Sequence, residues 1–181
     1  MESPLRGIQG GASPHGILKM AQIEPQTKVC CSIEEVCRHL APRIAQGESV
    51  VSTNGCFDLL HSGHIRYLAE AARLGDILIV GVNADATVRK LKGEGRPLQN
   101  EADRALIIAA LACVDYSFVF PEDDPRAFLE ILKPRFHVKG GDYSPDIIER
   151  PVVERNGGQI AIVSFVAGRS TTGIIDRMAT R

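Results

Sequence analysis

No apolar run in this 181-residue chain approaches the roughly 20 residues that cross a bilayer as a helix, so no membrane segment is expected. The first residues lack the apolar core that a secretory leader needs. Nor is there a block of lysine and arginine. The formal net charge is −1, which leaves no electrostatic case for a nucleic-acid partner. The five cysteines, at 30, 31, 37, 56 and 113, form no Cys-x-x-Cys pair and are odd in number. They read as reduced thiols of a cytoplasmic protein. A Walker A loop is missing. Gly93-Glu94-Gly95 is no dinucleotide fingerprint either, because Leu98 stands where the last glycine belongs. Internal repeats and low-complexity tracts are absent as well. What is present is a chain with 44% hydrophobic residues, enough to bury the core of one domain.

Residues 1–31 carry scattered glycine and proline and neither the helical nor the strand period, and are expected to be a flexible tail. The domain is expected to occupy 32–181. Ser32 and Glu35 make a capping box. Ile33, Val36, Cys37, Leu40 and Ile44 then share a helix face, which Pro42 should kink or split. Val50-Val51 begins a buried strand. Ile77 to Val82 is a continuous apolar run suited to a parallel strand covered on both faces. Asn100 caps a helix containing Arg104, Ile108 and Leu111. Tyr116 to Phe120, Phe136 to Lys139 and Ile160 to Phe165 supply three more strands. Helices are expected over Pro125 to Leu132, Ile147 to Arg155, and from Ser170 through Met178. Strand and helix alternate five times, which predicts one α/β domain: Rossmann-like, doubly wound, with a five-stranded parallel sheet. Ligands of such sheets gather outside the carboxyl ends of the strands, where the strand order reverses. Segments 54–64, 83–97, 140–143 and 168–172 all fall at that edge.

The first of these segments is the most informative. Asn54-Gly55-Cys56-Phe57-Asp58-Leu59-Leu60-His61-Ser62-Gly63-His64 joins a strand to a helix whose apolar face is Ile65, Leu68, Ala69 and Ala72. Ser62 is the expected N-cap and Gly75 the residue past the helix end. Unpaired N–H groups and the helix dipole favour an anion there, and two imidazoles beside it can donate to phosphate oxygens. A metal half-site is the competing use of His-x-x-His, but no further ligand cluster stands nearby in the sequence. Two solvated histidines are the plain alternative.

The other segments each carry two readings. Lys90, Lys92 and Arg96 lie on a glycine-punctuated basic loop that can close over a triphosphate or simply face water. Arg104, in the first turn of its helix, can reach a phosphate or make a surface ion pair of little value. Gly140 and Gly141 permit close approach of a nucleotide base or serve a turn. Ser170, Thr171 and Thr172 offer hydroxyls at a second helix N-terminus, where one ordinary cap is the simpler account. Asp58 is expected to orient the loop rather than touch ligand, and Cys56 to serve packing.

The pattern Gly-x-Phe-Asp-x-x-His-x-Gly-His resembles the signature of the nucleotidyltransferase superfamily that includes glycerol-3-phosphate cytidylyltransferase and pantetheine-phosphate adenylyltransferase. Together with Lys92-Gly, Arg96-Pro, Val138-Lys-Gly-Gly-Asp-Tyr143 and Ser170-Thr-Thr172, residues 32–178 resemble the D-glycero-β-D-manno-heptose 1-phosphate adenylyltransferase family, in a stand-alone form. That resemblance implies AMP transfer from ATP to a sugar 1-phosphate. It implies His61 and His64 at the α-phosphate and Lys92 at the outer phosphates, with Lys90 and Arg104 in support. Gly140 and Asp142 are then placed near adenine, and Ser170 and Thr171 near phosphate oxygens. Asn54, Gly55, Phe57, Asp58, Gly63, Arg96 and Thr172 complete the expected nucleotide and substrate site. A magnesium ion held mainly by ATP phosphates is implied, with no dedicated protein ligands. A homodimer is the expected assembly. CTP, another phosphorylated alcohol such as glycerol 3-phosphate, and a non-catalytic nucleotide-binding module remain as alternatives.

Overall fold

The computed structural model describes residues 24–141, 147–163 and 171–180. Its centre is one parallel sheet of β1 (Val29–Cys30), β2 (Val50–Gly55), β3 (Ile77–Asn83), β4 (Tyr116–Phe120), β5 (Phe136–Gly140) and β6 (Gln159–Val163), in the order β1-β4-β3-β2-β5-β6. Every neighbouring pair is parallel. The helices are α1 (Ile33–Ala45), α2 (Ser62–Ala72), α3 (Asp85–Lys92), α4 (Glu101–Ala109), α5 (Arg126–Leu132), α6 (Arg150–Arg155) and α7 (Thr171–Ala179).

The sheet has six strands, which corrects the expected five. Val29–Cys30 pairs with Ser117 and Phe118 at the open edge of β4. Two residues are too few to show a period, so the strand is invisible to pattern reading. A short 3-10 helix, Pro25–Lys28, leads into it, and the Lys28 ammonium donates to the Leu111 carbonyl. Ordered chain therefore begins ahead of Ser32, while residues 1–23 lie outside the described residues. A chain shortened to start at Ser32 should lose roughly 2 kcal/mol, from the β1 ladder bonds and the burial of Cys30. That is about 5 °C of melting temperature for a domain of this size. A chain starting at Glu24 should keep the parent's value by calorimetry.

Two apolar layers cover the sheet. Ile33, Val36 and Leu40 of α1, Phe128 and Leu129 of α5 and Val152 and Val153 of α6 pack on Val50, Ile77, Ile79, Phe118 and Phe120. Tyr67, Leu68 and Ala71 of α2 and Ala105 and Ile108 of α4 pack on Val51, Leu78, Val80, Val82 and Val138. β3 feeds both layers in strict alternation and is buried along its whole length, as a central parallel strand must be. Helices that follow β2 and β3 lie on one face, and those that follow β4 and β5 on the other. The winding direction thus reverses between β2 and β5. Ser32 caps α1 through the Glu35 N–H, and the helix runs unbroken through Pro42. The missing bond to Arg38 falls in its last turns, beyond the buried Val36 and Leu40.

Candidate active site

The crevice where the winding reverses is bounded by the ends of β2 and β5, as open α/β sheets lead one to expect. β2 ends at Gly55, and the chain turns sharply at Phe57, whose φ of 45° lies in the left-handed region. For a phenylalanine that conformation is strained and must be held by its surroundings. Phe57 is buried, folds back over Gly55, and meets the His64 ring edge-on at 5.4 Å. A Cβ on Gly55 would lie 3.1 Å from the Phe57 ring, so glycine is what lets the ring close over the strand end.

His61, not Ser62, is the N-cap of α2. Its Nδ1 accepts the Gly63 N–H at 3.1 Å. A nitrogen that accepts cannot also carry the proton, so His61 is neutral in this geometry and holds its hydrogen on Nε2. The His61 and His64 rings stack with centroids 3.9 Å apart. Burial, with His61 as a smaller contribution, lowers the His64 pKa from 6.5 to about 4. His64 Nδ1 is buried with no hydrogen-bond partner among the described residues. An orphaned buried ring nitrogen is costly, and it sits in the first turn of α2, where N–H groups already favour an anion.

Asp58 is buried and ties this turn to the basic loop. Its carboxylate accepts from Arg96 Nε, from the Leu98 N–H at 2.7 Å and from the Gln99 N–H at 3.1 Å. The expectation that Asp58 orients the loop fits this geometry, and Arg96 is drawn into the same latch. Arg104 corrects its expected role. It is wholly buried and donates to the carbonyls of Gln99, Cys56 and Asn83 and to the Asp85 carboxylate. In this geometry the guanidinium fastens the ends of β2 and β3 together and is closed off from solvent. Lys90 is likewise directed elsewhere, at 2.6 Å from Asp123 with both side chains exposed. Such a pair contributes little.

Lys92 is exposed at the end of α3, and its charge, like those of Arg104 and Arg96, reaches Cys56. Burial nevertheless pushes the Cys56 thiol above its ordinary range, which suits packing and not a thiolate nucleophile. Gly140 is buried at the end of β5, opposite Val163. Asp142 and Ser170 lie outside the described residues. The Thr171 hydroxyl donates to the Leu59 carbonyl at 3.0 Å, so α7 begins against the histidine loop. Thr172 is exposed in the same first turn.

Three contributors escaped the sequence reading. Tyr67 donates to the Val138 carbonyl at 2.8 Å and meets the Thr53 hydroxyl at 2.5 Å, bridging β2, α2 and β5. Lys139 pairs with Glu149 at 2.6 Å and donates to Asn54 Oδ1 at 3.3 Å. A lysine inside the apolar run Phe136-His-Val-Lys was the one available signal.

Two imidazoles, the half-buried His64 and the fully buried His137, make stability pH-dependent. His64 stays neutral in the folded chain down to about 4 and His137 down to about 3. For both, burial is the main cause. Unfolded, each protonates near 6.5, so between that value and about 4 the unfolded state binds more protons. The histidines' contribution to stability should therefore be complete above about pH 7 and be lost as pH drops through this window. In urea titrations, His64→Asn should reduce that slope by up to one proton, about 1.4 kcal/mol per pH unit. An unchanged slope would show that His64 protonates freely in the fold.

Fold and site together are those of a nucleotidyltransferase. Residues 52–172 match the cytidylyltransferase-like family, and the chain belongs to it. The bifunctional protein HldE of Geobacter metallireducens is 56% identical over 135 residues, which are 74% of this chain and 28% of that protein. HldE of Geobacter sulfurreducens is 54% identical over 140 residues, 77% of this chain and 29% of that one. The chain thus spans less than a third of the length of these relatives. A crystal structure of the lipopolysaccharide core biosynthesis protein of Thermoplasma volcanium matches with a TM-score of 0.56 and 34% identity, covering 66% of this chain and 98% of that one.

Proposed function

We propose that this protein transfers AMP from ATP to D-glycero-β-D-manno-heptose 1-phosphate, giving ADP-heptose and pyrophosphate. The observation that carries this reading is the stacked His61–His64 pair at the N-terminus of α2, with a buried, unpartnered ring nitrogen beside a ready anion site. Identity to the HldE proteins and to a lipopolysaccharide core biosynthesis protein supports the heptose substrate.

The sugar 1-phosphate is already anionic at neutral pH, so its oxygen attacks the α-phosphorus without a general base. The bond from that phosphorus to the bridging oxygen breaks, and pyrophosphate leaves with the electron pair. The chain's task is to hold two polyanions in line and meet the growing charge with fixed donors. His61 Nε2–H and His64 serve the α-phosphate, and the α2 N–H groups add their dipoles. Lys92, on an exposed helix end followed by Gly93, serves the outer phosphates. Among the described residues no cluster of three or more His, Cys, Asp or Glu is arranged to hold a metal, and the Asp58 carboxylate is already taken by three donors. A magnesium ion bound through the triphosphate and waters fits that donor set, and it would neutralise charge on the leaving pyrophosphate. The described residues contain no helix long and apolar enough to cross a membrane, and free thiols at all five cysteines agree with a cytoplasmic site of action.

Pyrophosphate release measured with ATP or CTP against a panel of sugar and polyol phosphates tests the reading. Turnover is expected with ATP and heptose 1-phosphate. Preference for CTP with glycerol 3-phosphate would replace the substrate assignment, and no release with any pair would leave a nucleotide-binding module.

A further inference from the structure

We propose that Lys139 and Glu149 are positioning residues that hold the Asn54 carboxamide with its N–H donors turned toward the acceptor sugar phosphate. The inference rests on the adenylyl transfer proposed above and concerns the other substrate of that reaction. The Lys139 ammonium lies 2.6 Å from Glu149 Oε1 and 3.3 Å from Asn54 Oδ1. The two charged side chains are only 11% and 5% exposed. An ammonium has three donors and no acceptor, so only the carboxamide oxygen can face it. The amide nitrogen of Asn54 is thereby turned away from Lys139, at the half-buried end of β2 that borders the crevice. Without the lysine the carboxamide could rotate and present either end.

The direction of Asn54 selects the substrate. Alternation along β2 puts Thr53 on the α2 side, where it meets Tyr67, and Ser52 and Asn54 on the opposite side. Ser52 there meets His137, and Asn54 meets Lys139, which in turn pairs with Glu149 just ahead of α6. The nucleotide phosphates are drawn to the N-terminus of α2. The acceptor has to approach the α-phosphorus from across the leaving pyrophosphate, and Asn54 lies on the α6 side of the same crevice. A neutral N–H donor there matches the phosphate or hydroxyl oxygens of a sugar phosphate. Glu149 keeps the local charge balanced, so Lys139 acts as a fixed orienting group and not as a second phosphate clamp.

The test uses the full chain and compares KM values for the two substrates. Lys139→Met combined with Glu149→Leu removes both charges at similar volume and leaves neither unpaired. It should raise KM for the sugar phosphate about tenfold, the weight of one oriented hydrogen bond. KM for ATP and kcat should stay within about twofold. Asn54→Ala should do the same, and adding it to the double variant should change nothing more, because the residues act as one unit. Lys139→Arg, which keeps a donor to Oδ1, should recover most of the loss. A double variant with the parent's KM for the sugar phosphate, an equal rise in KM for ATP, or additive effects with Asn54→Ala would each overturn the inference. Should the double variant fail to fold, Asn54→Asp decides. It keeps the lysine contact and removes the donor, so a parental KM for the sugar phosphate in that variant also overturns it. Failure of the underlying function shows differently, as a parent that releases no pyrophosphate at all.

Discussion

His64→Ala should bind ATP about as well as the parent and turn over at least about a hundredfold more slowly, the usual cost of removing one preorganised donor to a transition state. The ring is fixed on three sides, by the His61 stack, the Phe57 edge and the first turn of α2. Burial keeps it neutral at physiological pH, so what it offers a reacting phosphate is a positioned neutral ring and not a charge. In the proposed reaction, ground-state ATP would be held mainly by N–H groups and cations that the substitution leaves in place. A group whose interaction grows only as the α-phosphorus becomes pentacoordinate lowers kcat and kcat/KM together. His64→Asn, which keeps a donor at similar reach, should regain part of the loss. Near-normal turnover of His64→Ala with every acceptor would remove nucleotidyl transfer from this motif.

Arg104→Leu should cost about 3–5 kcal/mol of folding stability, the penalty typical of breaking a buried charged network. The guanidinium satisfies three carbonyls and Asp85 at once, and an aliphatic side chain would leave all four without their donor. Arg104→Lys should rescue little, because one ammonium cannot span acceptors on β2, β3 and the loop at Gln99. Chemical denaturation reads the effect directly. A variant with the parent's midpoint but a raised KM for ATP would restore Arg104 to the triphosphate and refute its structural role.

Arg104 also shows where reading the sequence stops. Alternation of apolar strands and amphipathic helices was enough to place β2 to β6 in one parallel sheet, though not to order them, and β3, buried along its whole length, carries the clearest apolar run. The His61-Ser-Gly-His64 spacing put both imidazoles at the N-terminus of α2, where they stack, since a strand–turn–helix leaves donors at one known place. Periodicity says nothing about partners, however. An arginine in a first helical turn looks the same whether it faces solvent or three carbonyls from distant segments. Arg96 and Asp58 are 38 residues apart, and Lys139 and Asn54 are 85 apart, so their pairing exists only once the sheet has formed. β1 was missed for a different reason. Two residues gain strand character from the open edge of β4, and nothing local encodes it.

The position of β1 bears on how this unit can be joined to others. Chain ahead of Glu24 reaches the domain at the outer edge of the sheet, and β4 and β3 separate β1 from β2. At about 4.8 Å per strand, that places the point of attachment about 14 Å to one side of β2. The substrate crevice opens on the far side of β2, toward β5. A polypeptide fused upstream would therefore join the described domain at its flank and not beside the crevice.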